Sequence, residues 1–219
     1  MILKKIITQD GSFSFYDSEL KETYHSRNGA LTESMHVYIS QGLDYWIKKN
    51  SKLELCNIFE MGFGTGLNAI LTRRFSEANL KKVSYSTIEK FPLTQNQIKT
   101  VSLKNLSQND KKIISSVWNK THKITSFFSM IKIHDDFFNI KNKLGFDIIF
   151  YDAFAPQSQP NMWDEKALRI STDLLKVNGI WVSYCAKGEV RRILQKLGLI
   201  VERIPGPPGK REMLRAIKI

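Results

Sequence analysis

Ile58-Phe59-Glu60-Met61-Gly62-Phe63-Gly64-Thr65-Gly66-Leu67-Asn68 decides the fold. An apolar run closes on an acidic residue, Gly62, Gly64 and Gly66 alternate with larger residues, and a helix-length amphipathic stretch continues to Ala78. That order describes a strand turning tightly into a helix, and the missing Cβ atoms let a ligand approach the backbone. A dinucleotide fingerprint would place its third glycine at position 67, which is Leu, so NAD binding is disfavoured. No Lys-Ser/Thr pair follows the glycines as a phosphate-cradling P-loop requires, so a nucleotide triphosphatase is disfavoured too.

Outward from this loop, short apolar runs alternate with helical segments, the pattern of a parallel sheet covered on both faces. Strands are expected at Leu53 to Glu60, Val83 to Glu89, Phe128 to His134, Phe146 to Asp152, Ile180 to Cys185, Ile200 to Ile204 and Met213 to Ile217. Helices are expected at Gly66 to Ala78, Pro92 to Leu103, Asp110 to Asn119, Asp164 to Lys176 and Glu189 to Leu197. Pro92 suits a first helical turn, and Asn178-Gly179 reads as a helix stop. The last two strands are joined across Pro205 to Gly209 without a helix, which suits an antiparallel pair. A seven-stranded, mostly parallel sheet with a reversed last strand is the topology of class I S-adenosylmethionine-dependent methyltransferases, and the close spacing of Gly66 suits the same cofactor. The expected architecture is therefore α/β and Rossmann-like over residues 51–219. Residues 1–50 hold a hairpin around Asp10-Gly11 and a helix from about Thr32 to Lys48, read as a small cap near the mouth of the site.

Open α/β sheets bind ligands at the carboxyl ends of their strands, and acidic residues stand at three of those ends. Glu60 closes the first strand, where a carboxylate organises the loop and favours the cationic end of the cofactor. Glu89, in Ser86-Thr87-Ile88-Glu89-Lys90, is placed to accept both ribose hydroxyl protons of an adenosyl group. His134-Asp135-Asp136-Phe137 closes the next strand within reach of an adenine amino group, with Asp136 favoured over Asp135.

The bulk properties bound the partners. The 219 residues suffice for one full core, and 42% apolar with 25% charged residues is ordinary for a globular protein. No apolar run reaches the ~18 residues of a membrane span, and Met1-Ile2-Leu3-Lys4-Lys5 is too short an apolar start for a signal peptide. Cys56 and Cys185 lie in apolar runs and read as core thiols of a cytoplasmic protein; no His/Cys cluster has metal-ligand spacing. A formal net charge of +12 fits a polyanion, since each neutralised phosphate releases condensed counterions.

The fourth strand ends in Phe150-Tyr151-Asp152-Ala153-Phe154-Ala155-Pro156, followed by Gln157-Ser158-Gln159-Pro160-Asn161-Met162-Trp163. This stretch resembles the Asp-small-Phe-Ala-Pro and Asn-Pro-small-Met-Trp signature of the tRNA 5-methylaminomethyl-2-thiouridine methyltransferases, the MnmC-type methyltransferase domain that also occurs alone as MnmD. The order Pro160-Asn161-Met162-Trp163 departs from it by lacking a residue before Met. Further matches are the glycine loop, Glu89-Lys90-Phe91-Pro92-Leu93 and Gly209-Lys210-Arg211-Glu212-Met213-Leu214, so the resemblance spans about residues 8 to 217.

The resemblance implies S-adenosylmethionine as cofactor, held by Glu60, Gly62, Gly64, Thr65, Gly66, Asn68, Glu89, Lys90, Asp135, Asp136 and Asp152. It implies methylation of the exocyclic amine of 5-aminomethyl-uridine at the wobble position, with the tRNA anticodon stem-loop as partner. Asp152 is the expected catalytic base. Phe154 and Tyr151 stand beside it, to stack on uracil, line the pocket or simply pack in the core. In the cap, Thr23-Tyr24-His25-Ser26-Arg27-Asn28-Gly29 resembles the segment closing over the site, which makes Tyr24, His25, Asn28, Gly29 and Glu33 candidates for cofactor or base contacts. Lys210 and Arg211 are expected to hold anticodon phosphates, with Lys187, Arg191 and Arg192 extending that surface. The alternatives are a methyltransferase for another amine, for which the charge is incidental, and a noncatalytic RNA-binding module with this fold.

Overall fold

A computed structural model describes residues 3–100, 106–140 and 145–219. Among them the main sheet has eight strands: β4 (Leu55–Met61), β5 (Lys82–Glu89), β6 (Thr121–Lys123), β7 (Phe128–His134), β8 (Phe146–Tyr151), β9 (Leu175–Ser183), β10 (Leu199–Pro205) and β11 (Glu212–Lys218). Their order is β10-β11-β9-β8-β4-β5-β7-β6. β4, β5, β7, β8 and β9 run parallel, while β11 is antiparallel to both β9 and β10. The class I methyltransferase topology is therefore present, with one strand more than expected. The added strand, β6, is three polar residues, Thr121-His122-Lys123, paired antiparallel to β7 at the sheet edge, too short to show alternation.

Alternation along the central strands sends Ile58, Tyr85, Ile148, Phe150 and Val182 to one face. It sends Phe59, Met61, Ile149, Tyr151 and Trp181 to the other. The second face is covered by the helices Glu165–Asp173 and Gly188–Lys196. The first is covered by Leu67–Ala78 and Gln108–Ser115, and by a long helix from the first fifty residues. That helix runs through Ala30–Ser34, Met35–Asp44 and Tyr45–Lys49, its middle wound as a π-helix, and buries Val37, Tyr38, Leu43 and Trp46 against the sheet. Ahead of it, β1 (Leu3–Ile7), β2 (Phe13–Asp17) and β3 (Glu22–Thr23) form an antiparallel sheet of their own. The hairpin turn at Asp10-Gly11 does a second job: Asp10 accepts hydrogen bonds from the Thr32 N–H and hydroxyl, both 2.9 Å, tying the hairpin to the start of the long helix.

Three helix boundaries differ from the sequence reading for identifiable reasons. The helix expected from Pro92 starts at Gln95, because Thr94 and Gln97 form a reciprocal cap; its expected end, Leu103, lies outside the described residues. The helix expected at Asp110 starts at Gln108 under a Ser107/Asp110 capping box and stops at Ser115, where Ser116 turns extended. The helix capped by Asp164 ends at Asp173, and Asn178-Gly179 falls inside β9 instead of stopping the helix. There Asn178 adopts φ +62° in an irregularity where Leu175 to Ile180 of β9 face only Phe146 to Ile148 of β8.

Candidate active site

The glycine loop sits where β4, β5 and β8 end together. The Gly62 N–H donates to the Ile88 carbonyl at 3.0 Å, and the Asp152 N–H donates to the Met61 carbonyl at 3.2 Å. Gly62 has φ +91°, and a Cβ there would stand 2.8 Å from the Asp152 carbonyl oxygen, so the residue must be glycine. Gly66 also has positive φ, and its missing Cβ makes room for the Phe63 ring. Beneath Phe63 lies an unexpected support: the ammonium of the buried Lys132 sits 4.9 Å from its ring and 4.7 Å from that of Trp118. Lys132 donates to the Ile114 carbonyl at 2.8 Å, and burial pulls its proton affinity down to about 8.

Around the loop opens a cleft of ≈ 1120 Å³. Glu89, Lys90, Asp135 and Asp136 line one end; Asp152, Phe154, Tyr184 and Lys210 line the other; Tyr24 and His25 come from the cap. Glu89 accepts from the Gly64 N–H at 3.2 Å and the Phe91 N–H at 2.9 Å, bracing the loop against the tip of β5. Lys90 pairs with Asp136 at 2.7 Å, and Asp136 also accepts from the Phe138 N–H at 3.0 Å. Those two bonds hold its carboxyl below the usual range. Asp135 is more exposed, and its carboxyl is lowered by the Asn139 amide and the Asp136 N–H.

Asp152 follows β8 directly. Its Oδ1 accepts from the Tyr38 hydroxyl at 2.7 Å and its Oδ2 from the Asn68 amide at 2.8 Å. Burial pushes the carboxyl up to about 7; the Glu33 charge adds to this, while Tyr38, Asn68 and Lys210 oppose it. The result is a group that exchanges a proton near neutral pH.

The remaining expected residues divide. Tyr24 meets Phe154 edge-on at 5.1 Å and walls off Gly64, whose absent Cβ would lie 3.3 Å from its ring. His25 is held low, to about 4, by burial, so its ring is neutral. Tyr151 is a core residue: wholly buried, it packs on Trp163 and Trp181 and donates to the Met162 carbonyl, so it cannot stack on a ligand. Asn28 does not line the cleft; its amide donates to the Pro208 carbonyl at 3.4 Å, joining the cap to the loop before β11. Lys210 turns inward, with its ammonium 2.6 Å from Glu33 and 3.8 Å above the Tyr184 ring, so it is not a free phosphate-facing cation. Arg211 lines the mouth and is exposed, as are Lys187 and Gly188 at the start of the last helix; Arg191 and Arg192 stand outside the cleft lining.

Glu60, Thr65 and Gly66 are also absent from the cleft wall. Glu60 lies under the loop, 1% exposed, and burial raises its carboxyl to about 8. At neutral pH it holds a proton, so it does not present the negative charge expected from its strand-end position. Tyr38, Tyr184 and Lys132 were not singled out from sequence. Tyr38 and Lys132 carry the apolar pattern of core positions, and only the fold reveals what their polar ends meet.

Residues 127–219 match the family described as S-adenosyl-L-methionine-dependent methyltransferase. The match covers less than half of the chain and is a likeness to that family. Over 209 residues the chain is 32% identical to the tRNA 5-methylaminomethyl-2-thiouridine biosynthesis bifunctional protein MnmC of Leptospira borgpetersenii, covering 88% of this chain and 32% of that protein. It is 29% identical over 221 residues to the protein of the same name from Actinobacillus pleuropneumoniae, covering 90% and 32%. The chain thus spans about a third of the length of these relatives. The crystal structure of MNMC2 from Aquifex aeolicus superposes with a TM-score of 0.79 at 24% identity, over 99% of this chain and 70% of that one, and shares the fold. The residues present fit S-adenosylmethionine: a carboxylate at the tip of β5 for vicinal hydroxyls, Gly62 and Gly64 presenting no Cβ atoms to the cleft, and a pair of carboxylates at the tip of β7.

Proposed function

We propose that this methyltransferase transfers a methyl group to the exocyclic primary amine of 5-aminomethyl-(2-thio)uridine at the tRNA wobble position, giving 5-methylaminomethyl-(2-thio)uridine. When bound, S-adenosylmethionine supplies an electrophilic methyl carbon on a sulfonium. Glu89 would accept from its ribose hydroxyls, Gly62, Gly64 and Asn68 would hold its amino-acid portion, and Asp136, braced by Lys90, would hold its adenine together with Asp135. Phe154 and Tyr24 form the aromatic wall against which the uracil ring sits, with His25 neutral beside them.

Asp152 handles the proton. The amine nitrogen attacks only through a free lone pair; the Asp152 carboxylate would orient that lone pair and take the nitrogen-bound proton given up as the methyl group is gained, the bonding pair remaining on the sulfur that leaves. General-base assistance of this kind contributes roughly 10²–10⁴-fold. Holding nucleophile and methyl carbon in line accounts for up to ~7–11 kcal/mol more. The observation that carries the reading is Asp152 itself: a carboxylate at the tip of β8, facing the cleft, held by a donor on each oxygen and poised at about 7. The chain's likeness to the MnmC proteins supports the choice of substrate class.

The partner is the anticodon stem-loop, whose bases are unpaired and so cost little to present. Arg203, Arg211 and Lys187 at the mouth meet its phosphates, in keeping with the net charge of +12. The test is to incubate the protein and methyl-labelled cofactor with tRNA bearing 5-aminomethyl-2-thiouridine, then digest it and weigh the nucleosides. Conversion of that nucleoside to its monomethyl form is expected. Labelling of free amines with the tRNA nucleoside untouched overturns the substrate assignment.

A further inference from the structure

Tyr38 lies outside the cleft, 1% exposed, on the long helix that covers one face of the sheet. Its ring tilts against Phe150 at 5.2 Å, and its hydroxyl reaches over the end of β8 to Asp152 Oδ1 at 2.7 Å. Two local features bring it there. The helix is π-wound from Met35 to Asp44, a rare geometry that is frequent at functional sites. Four residues on, Gly42 lets the helix lie close on the sheet: a Cβ there would stand 2.9 Å from the Phe150 ring and 3.2 Å from Val182.

We propose that Tyr38 is a positioning residue for the transfer step: from the π-wound helix it fixes one oxygen of Asp152, as Asn68 fixes the other, so that the carboxylate meets the amine in a single orientation. The inference rests on the reading of Asp152 as proton acceptor. With one donor on each oxygen, the plane of the carboxylate is set from two independent elements, the long helix and the helix after the glycine loop. The other groups acting on Asp152 are Glu33 from the first turn of the long helix, Lys210 from the loop before β11, Glu60 in β4, Tyr85 in β5 and Tyr184 after β9. Burial holds the Tyr38 phenol well above its ordinary range, so it stays protonated and acts only as a donor.

The test is Tyr38→Phe, which keeps ring and volume and removes the donor. The protein is labelled with 13C at aspartate carboxyls, and Asp152 is identified as the resonance missing from Asp152→Asn. Loss of a hydrogen bond to the charged form favours the neutral form, so the Asp152 titration midpoint is expected to rise by about one pH unit. The acid limb of kcat on aminomethylated tRNA shifts upward by the same amount, while KM for tRNA stays within about twofold. Gly42→Ala, which keeps the hydroxyl but lifts its helix from the sheet, moves the midpoint in the same direction. A midpoint unmoved in both variants overturns the proposal. Full turnover by Asp152→Asn overturns the base reading instead, and the carboxyl titration separates the two failures because it needs no turnover.

Discussion

Replacing Glu60 by Gln is expected to stabilise the protein, and to do so more as the pH rises. Glu60 is buried under the glycine loop, and burial lifts its carboxyl from 4.5 to about 8. Because the folded value is raised, its contribution to stability is full below pH 4.5 and is lost as the pH climbs through 8. The gap amounts to about 5 kcal/mol on the alkaline side and about 3 kcal/mol at pH 7. Glutamine carries no charge to bury. Among the described residues, Glu60 Oε2 and the neighbouring Asn68 Oδ1 form no hydrogen bond, so the new amide has an acceptor waiting. Allowing for imperfect fit, Glu60→Gln should gain about 1–3 kcal/mol at pH 8.5 and about nothing at pH 5. At ~2–4 °C per kcal/mol for a chain of this size, the melting temperature rises by several degrees. Urea unfolding at pH 5, 7 and 8.5 reads it directly. A difference between variant and wild type that does not change with pH would refute the argument, because it would mean that Glu60 does not titrate in this window.

Three further outcomes are expected. Asp152→Asn keeps S-adenosylmethionine affinity within a few-fold by calorimetry but loses roughly 10²–10⁴ in kcat; in the wild type, kcat falls tenfold per unit below about pH 7 and levels above it, since the base must be unprotonated. Gly62→Ala places a Cβ against the Asp152 carbonyl at φ +91°, a strain of order 1–3 kcal/mol, and should lower both the melting temperature and cofactor binding. Glu89→Ala removes the acceptor of the Gly64 and Phe91 N–H groups and weakens cofactor binding by roughly 10- to 100-fold in the same calorimetric titration, with the fold intact by circular dichroism.

The sheet was legible because its signals are local. β4, β5, β7 and β8 are apolar runs closed by acidic or glycine residues, and each begins or ends within two residues of the expected place. Asn178-Gly179 misled because a left-handed backbone at Asn serves a strand irregularity as well as a helix end; the pairing of Leu175 with Phe146 decided between them. Asp152, Glu89 and the glycines were legible from strand-end position, and the cleft does gather them. What stayed hidden is relational. Lys210 reads as a surface cation until Glu33, 177 residues away, is seen beside it. Glu60 reads as a charge until its burial is known, and Tyr38 reads as core because its ring is core while only its hydroxyl is not.

The insertion of β11 between β9 and β10 has a consequence for synthesis. A growing chain that has emerged as far as residue 205 already contains the glycine loop, Glu89 and Asp152, but not the strand that zips β10 to the rest of the sheet, nor Lys210. The glycine loop and the strand-end carboxylates are thus encoded before the wall to which Lys210 belongs. That ordering leaves the site incomplete until β11 has emerged.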